Sequence, residues 1–354
     1  MYKYLLNMSS IKSFSLSVIF IFFLMSCSDN RTSYYRIWQE GHNLSDSLMV
    51  DFYGEENDGI ENALGLILEA IDGNWEKVEE MTRGSRKTEL AAYYHNLAMA
   101  MKGCLADSLM YYYQPFGRGL FMPIGDESTQ LKIAARSEAW YRLGEMTMAE
   151  HAAMLAQSFS PSHYGVPYLK RLAEVNLVNG QEEAAMKYLR LLSQEPGCEK
   201  WVSDRLPGQQ SEEVKEHLKK MRTLVPTQDV IHSQSQYRIV LKNLLASNPD
   251  NQLARQYLLC YDLLIKDLNS FIQDYDPSRD KSRLYDEAVL IFLALHNDVT
   301  PQSLSYFRIP NEVFRDFNDY DHLSVLSKGA MAPMQKKYGN TYWFFYQYAK
   351  RNTK

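Results

Sequence analysis

The residues best suited to chemistry are few and widely spaced. Asp274-x-Asp276-x-Ser278-x-Asp280 sets side-chain oxygens at alternate positions, the pattern with which a calcium loop opens. Arg279 stands where such a loop needs glycine, Pro277 occupies the fourth place and Tyr285 stands where a glutamate should close it. A solvated link between helices is therefore the expectation. Asp319, Asp321 and His322 bring two carboxylates and an imidazole together in sequence, which a charged surface turn explains more simply than a metal site. No Gly-x-Ser-x-Gly elbow, His-Glu-x-x-His pair, Gly-Lys-Ser/Thr phosphate loop or Cys-x-x-Cys pair is present, and the eight histidines form no cluster. Acid and base groups converge in space rather than in sequence, so these absences lower the odds of an enzyme without closing the question. The expectation is no enzyme, no cofactor and no metal.

Aromatic rings are the richer resource, with 25 tyrosines. Tyr111-Tyr112-Tyr113 could stack on sugars or peptides. Three successive helical positions fan over about 200 degrees, so at least one ring is expected to face solvent or a groove while the others fill helix–helix contacts. The segment that follows, Gln114 to Glu127, holds Pro115, Gly117, Gly119, Pro123 and Gly125. A long Gly/Pro loop between packed helices is where added recognition is expected.

Of four cysteines, Cys27 stands apart. Lys3 and Lys12 flank an uncharged apolar run over 14–25, shorter than the roughly 20 residues a spanning helix needs. Leu24, Ser26 and Cys27 then resemble the bacterial lipobox. That resemblance implies peptidase recognition at Leu24 and Ser26, cleavage before Cys27, and a diacylglycerol with chains such as palmitate on its sulfur. It also implies a bacterial envelope location, with the outer membrane expected and the body in the periplasm or at the cell surface. Several acyl chains on one cysteine make a durable anchor, because each buried methylene contributes about 0.8 kcal/mol. Cys104, Cys198 and Cys260 are left in odd number without regular spacing and are expected as buried core thiols.

Removing residues 1–26 discards two lysines and no acids, taking the formal net charge from −5 to about −7. That sign argues against nucleic acid and anionic lipid surfaces as partners.

The rest of the chain repeats one sentence: an apolar helical stretch, a short glycine turn, a second helical stretch. The first copy runs through 63–71, Asp72-Gly73-Asn74 and 75–81; the second through 90–101, Lys102-Gly103 and 105–110. Two antiparallel helices follow from so short a link. After the Gly/Pro interruption, Trp140-x2-Leu143-Gly144 resembles the opening of a tetratricopeptide motif. Tyr168, Asn179-Gly180, Ala184, Tyr188 and Pro196 then fall at that motif's spacing. Beyond 201 the order loosens into a short helix at Trp201, helices over 211–222, 237–245, 253–265 and 282–295, and an aromatic tail, 338–346, expected to dock as a cap.

The expected fold is thus all-α, a degenerate tetratricopeptide-like solenoid of stacked helix pairs with an aromatic C-terminal cap. Its expected divisions are a signal peptide, 1–26; a lipidated tether grading into a first helix, 27–58; repeats, 59–200; and further pairs with the cap, 201–354. The landmarks Tyr93-Tyr94-His95-Asn96-Leu97-Ala98, 168–174, 283–288 and Asn340-Thr341-Tyr342-Trp343 resemble an uncharacterised family of bacterial membrane-associated helical-repeat proteins, which carries no assigned activity. Stacked helix pairs suit an extended protein or peptide partner, and a glycan captured for nutrient import is the alternative expectation.

Overall fold

The computed structural model describes residues 33–350 apart from 85, 124, 126, 127 and 228–234. Among these residues every regular element is helical. The apolar positions recur at helical spacing, and Ser, Thr or Asn side chains repeatedly close the first turn. Ser33, Asn57, Thr88, Thr129, Ser211, Ser282 and Thr341 each accept an early backbone N–H of the helix they begin.

Helices α1 (Tyr34–Gly41) and α2 (Asp46–Tyr53) open the body, followed by α3 (Asp58–Ile71) and α4 (Trp75–Gly84). The first two occupy a stretch expected to be tether grading into a single helix. They form because Trp38 and Met49 are fully enclosed, the Trp38 ring stacking on His42 and meeting Tyr168 edge-on. The burial of Trp38 depends on Tyr168, far along the chain, which local polarity does not reveal.

Next come α5 (Glu89–Met101), the single turn α6 (Leu105–Ser108), and the pairs α7 (Gln130–Leu143) with α8 (Met146–Ser158) and α9 (Val166–Val178) with α10 (Glu182–Leu192). Gly144 ends α7 in the left-handed region, φ +96°, and a Cβ there would lie 2.6 Å from the Leu224 backbone oxygen. Only glycine allows both the reversal and that approach.

Then follow α11 (Glu199–Ser203), α12 (Glu212–Leu224), the pair α13 (Tyr237–Ser247) and α14 (Gln252–Leu264), α15 (Leu268–Asp274), α16 (Arg283–Leu295), α17 (Pro301–Tyr306), α18 (Asn311–Leu326), α19 (Met331–Tyr338) and α20 (Tyr342–Tyr348). Sequence-adjacent helices pack on one another, giving an all-α, solenoid-like fold. One large apolar core runs from Tyr35 to Phe345, and a small satellite lies between α9, α10 and α11. The aromatic tail is docked as expected, with Tyr342 and Trp343 buried.

A buried ionic cluster ties the central pairs. Arg171 on α9 is bound by Glu138 of α7 and by Glu174, 2.7 Å away, and its guanidinium lies 3.8 Å over the Tyr141 ring. Arg142 and Arg205 occupy the remaining oxygens of the two acids, so the charges are compensated inside the core.

Candidate functional site

The Tyr111-Tyr112-Tyr113 run meets the C-terminal cap across an open groove. Its larger chamber, about 690 Å³, is lined by Met110 to Phe116, Arg118, Lys87 and Glu89 on one side and by Met331, Phe344, Tyr348 and Lys350 on the other. A second chamber of about 450 Å³ continues it between Asp107, Arg283, Glu287, Lys336 and Lys337. Met110, Tyr111, Gln335, Gly339 and Asn340 belong to both, so the two form one groove.

Tyr112 sets the near wall. Its hydroxyl donates to the Thr82 carbonyl at 2.9 Å and its ring stacks on His95, centroids 4.0 Å apart. His95 is held neutral by burial, its pKa lowered to about 4. The backbone at Tyr112 is extended, so its neighbours leave on the side away from the anchored ring. Tyr111 is consequently 71 % exposed and Tyr113 42 %. Gln114 completes this wall by pairing amide to amide with Asn96 at 2.9 and 3.1 Å, while Asn96 also donates to the Gly119 carbonyl.

The far wall is α19, α20 and what holds them. Glu287 of α16 accepts the Tyr342 N–H at 2.7 Å and the Arg283 guanidinium at 3.0 Å, and its carbonyl accepts the Trp343 indole N–H. Burial raises the Glu287 carboxyl to about 7 against the opposing pull of those donors. At the other end Lys266 donates to the Tyr346 and Ala349 carbonyls, at 2.7 and 2.5 Å, and lies over the rings of Phe116 and Phe345. A cation at a helix C-terminus serves carbonyls that have no partner within the helix.

A raised carboxyl in a groove resembles a general acid, yet both oxygens of Glu287 are taken by the fold. Glu89 is the opposite case: burial opposes its ionisation, and Arg118 and Lys132 outweigh that cost and lower its pKa. Its carboxylate bridges those two cations at 2.8 and 3.5 Å.

The residues singled out in the sequence are dispersed. Leu24, Ser26 and Cys27 lie outside the described residues. Asp274 binds Arg238 and Lys242, Asp280 binds Arg255, and Asp276 accepts from Ser278, so the alternating oxygens are bonded to cations and a turn. Asp319, Asp321 and His322 are exposed along α18, a helix rather than a turn, and no group of three potential metal ligands occurs among the described residues. Cys198 and Cys260 are buried and Cys104 partly so, none of them in a disulfide.

The Gly/Pro loop differs most from expectation. Its middle is core: Leu120, Phe121 and Met122 are buried, and the Phe121 ring lies parallel to Tyr237, centroids 4.4 Å apart. Among the described residues of the loop, Gln114, Pro115, Phe116 and Arg118 reach the groove. The cap wall was missed as a partner for the tyrosines because its residues lie far from them in sequence. The one local sign was the Lys336-Lys337 pair beside the aromatic tail.

The fold and groove together define an all-helical protein with an aromatic, cation-rimmed cleft. The chain belongs to a family of unknown function, DUF6057, whose model matches residues 1–349. No curated protein and no solved structure matches it. No described helix is long and apolar enough to cross a membrane.

Proposed function

We propose that this chain is a lipid-anchored bacterial envelope protein whose helical body binds a protein or peptide partner and performs no chemistry. The anchor is the acylated thiol of Cys27, exposed by removal of residues 1–26 at the recognition residues Leu24 and Ser26. Residues 28–33 reach at most about 20 Å whatever their conformation, so acylation at Cys27 holds the helical body near the membrane. The outer membrane is the favoured location, with the body facing the periplasm or the cell surface.

The observation that carries the binding reading is the pair of outward rings at Tyr111 and Tyr113, set by the inward Tyr112 opposite a docked aromatic cap. A preformed aromatic cleft binds without the entropic cost of ordering itself first.

The test has two arms. Mass spectrometry of the purified protein is expected to show a diacylated first residue at Cys27, and Cys27→Ala is expected to leave the membrane fraction. A photo-crosslinking side chain at Tyr111 is expected to give a discrete adduct in intact cells, whereas one at the equally exposed Val325 gives background. Identical patterns from both positions would remove the groove from consideration.

A glycan-capturing lipoprotein serving nutrient import is the second reading. It is supported by the exposure of Tyr111 together with the Gln335 and Asn340 amides on the same groove, a ring for stacking and donors for hydroxyls. Calorimetric titration with a panel of oligosaccharides tests it; no heat from any member counts against it.

A further inference from the structure

We infer that the occupant of the groove is an extended acidic peptide segment, its carboxylates meeting the lysines along the cap and its apolar side chains seated between Tyr111 and Met331. This rests on the peptide-scaffold reading and adds the chemistry of the ligand.

The first support is charge. The chain is acidic overall, −5, yet the groove gathers Lys87, Lys336, Lys337 and Lys350, none of them in an ion pair among the described residues. The groove's acids are already engaged. Glu89 is bridged by Arg118 and Lys132, Glu287 by Arg283 and the Tyr342 N–H, and Asp107 accepts from Ser282 at 2.8 Å. Six lysines and arginines line the groove against three acids, so its lining carries a net positive charge on a negative molecule, which attracts and orients an anionic partner.

The second support is the kind of apolar surface. Met331 is 50 % exposed, and Met110 and Phe344 line the same chamber. Thioethers adapt to differently shaped side chains, and Tyr, Phe and Met are the residues that protein interfaces concentrate. A polyuronate would satisfy the lysines equally well. The Gln335 and Asn340 amides would serve some of its hydroxyls, but Met110, Met331 and Phe344 offer them no partner, and this apolar part of the lining favours a peptide over an acidic glycan.

The experiment is fluorescence anisotropy on the full-length protein in detergent micelles, with a labelled random copolymer of glutamate and tyrosine as probe. A lysine–tyrosine copolymer and a polyuronate are the comparisons. The glutamate–tyrosine copolymer is expected to bind, and to weaken by about tenfold between low and high salt as screening shortens the reach of the lysines. Tyr111→Ala and the double variant Lys336→Glu/Lys337→Glu are each expected to weaken it at least about fivefold, with the melting temperature unchanged for Tyr111→Ala and slightly lowered for the double variant, since Lys337 also lies over the Tyr338 ring in the last turn of α19.

Absence of copolymer binding overturns the inference, as does binding that both variants retain. Tighter binding of the polyuronate with the same dependence on Tyr111 overturns it in favour of a glycan. A discrete crosslink at Tyr111 without any copolymer binding would leave the scaffold reading in place and remove only the acidic peptide.

Discussion

The carboxylate of Glu287 accepts the backbone N–H of Tyr342 at 2.7 Å while its backbone carbonyl accepts the Trp343 indole, so one residue of α16 fixes the first turn of the terminal helix. The cap is thus fastened by a buried acid whose ionisation is costly, and the far wall of the groove inherits a pH dependence.

Burial raises the Glu287 carboxyl to about 7, above the ordinary glutamate value that the unfolded chain shows. The folded state then holds this proton more tightly. Its contribution to stability is complete below the ordinary value and is lost as pH rises through about 7. Asp262, about 7, and Asp286, about 6, act in the same direction, both through burial. The lowered acids Glu79, Glu89 and Glu174 act in the opposite sense, and their contribution fades only as pH falls below the ordinary carboxylate range. Buried His42, about 3, and His95, about 4, with His217 also lowered, lose stability as pH falls below the ordinary histidine value and so oppose the raised acids. Glu287→Gln is therefore expected to remove a downward component from the slope of melting temperature against pH between pH 5 and pH 8. An unaltered slope in the variant would show that Glu287 is not the source of that component.

Lys266 fastens the other end of the cap through the Tyr346 and Ala349 carbonyls. Lys266→Met deletes the ammonium that lies over Phe116 and Phe345 and donates to both carbonyls, and hydrogen bonds to charged groups contribute about 1.5–3 kcal/mol. Amide hydrogen exchange is expected to quicken across 342–349 and stay unchanged in α7. Uniform exchange across both segments would mean that the lysine does not hold the cap.

The helix pairs were legible because their signal is local: apolar residues at helical spacing, then Gly73, Gly103, Gly144 or Gly180 with positive φ at the reversal. What escaped depends on contacts between distant segments. The Gly/Pro content of 114–127 promised an exposed loop, but Leu120, Phe121 and Met122 sit between its glycines, and they are drawn into the core by Trp140, Tyr237 and Tyr257. Nothing near Tyr111 in sequence announces Met331 or Phe344, so the rings were visible as candidates while the groove was not.

Arg171 offers a test of the core. Arg171→Met would leave Glu138 and Glu174 buried with only Arg142 and Arg205 in contact, and uncompensated buried charge costs about 3–5 kcal/mol. Arg171→Lys is expected to recover little, because a single ammonium cannot serve both acids in the fork geometry or lie flat on Tyr141. Urea unfolding measures both. Near-equal stability of Arg171→Lys and the parent would show that charge alone suffices.

The glycine turns differ in what surrounds them. Gly103, φ +77°, has open space where a Cβ would go, whereas at Gly144, φ +96°, that atom would lie 2.6 Å from both Leu224 Cβ and its backbone oxygen. Gly103→Ala is expected to cost about 1 kcal/mol from the left-handed backbone alone. Gly144→Ala should cost distinctly more, since α12 must move away from α7. Equal losses in thermal melts would contradict the close approach of those two helices.

The tyrosine run separates structure from surface within three residues. Tyr112 has its hydroxyl on Thr82 and its ring on His95, so Tyr112→Ala removes a stack, a hydrogen bond and buried area together. A loss of about 2–4 kcal/mol is expected, in the range of large-to-small substitutions at packed aromatic sites. Tyr111 projects from the same wall with most of its ring in water, and Tyr111→Ala should lie within about 0.5 kcal/mol of the parent. Tyr112→Ala also frees the backbone that aims the neighbouring rings, so an adduct formed at Tyr113 should weaken in that background. If the adduct keeps its intensity while stability falls, the outward aim of the rings does not depend on Tyr112, and the near wall of the groove is held by the Gln114–Asn96 amide pair instead.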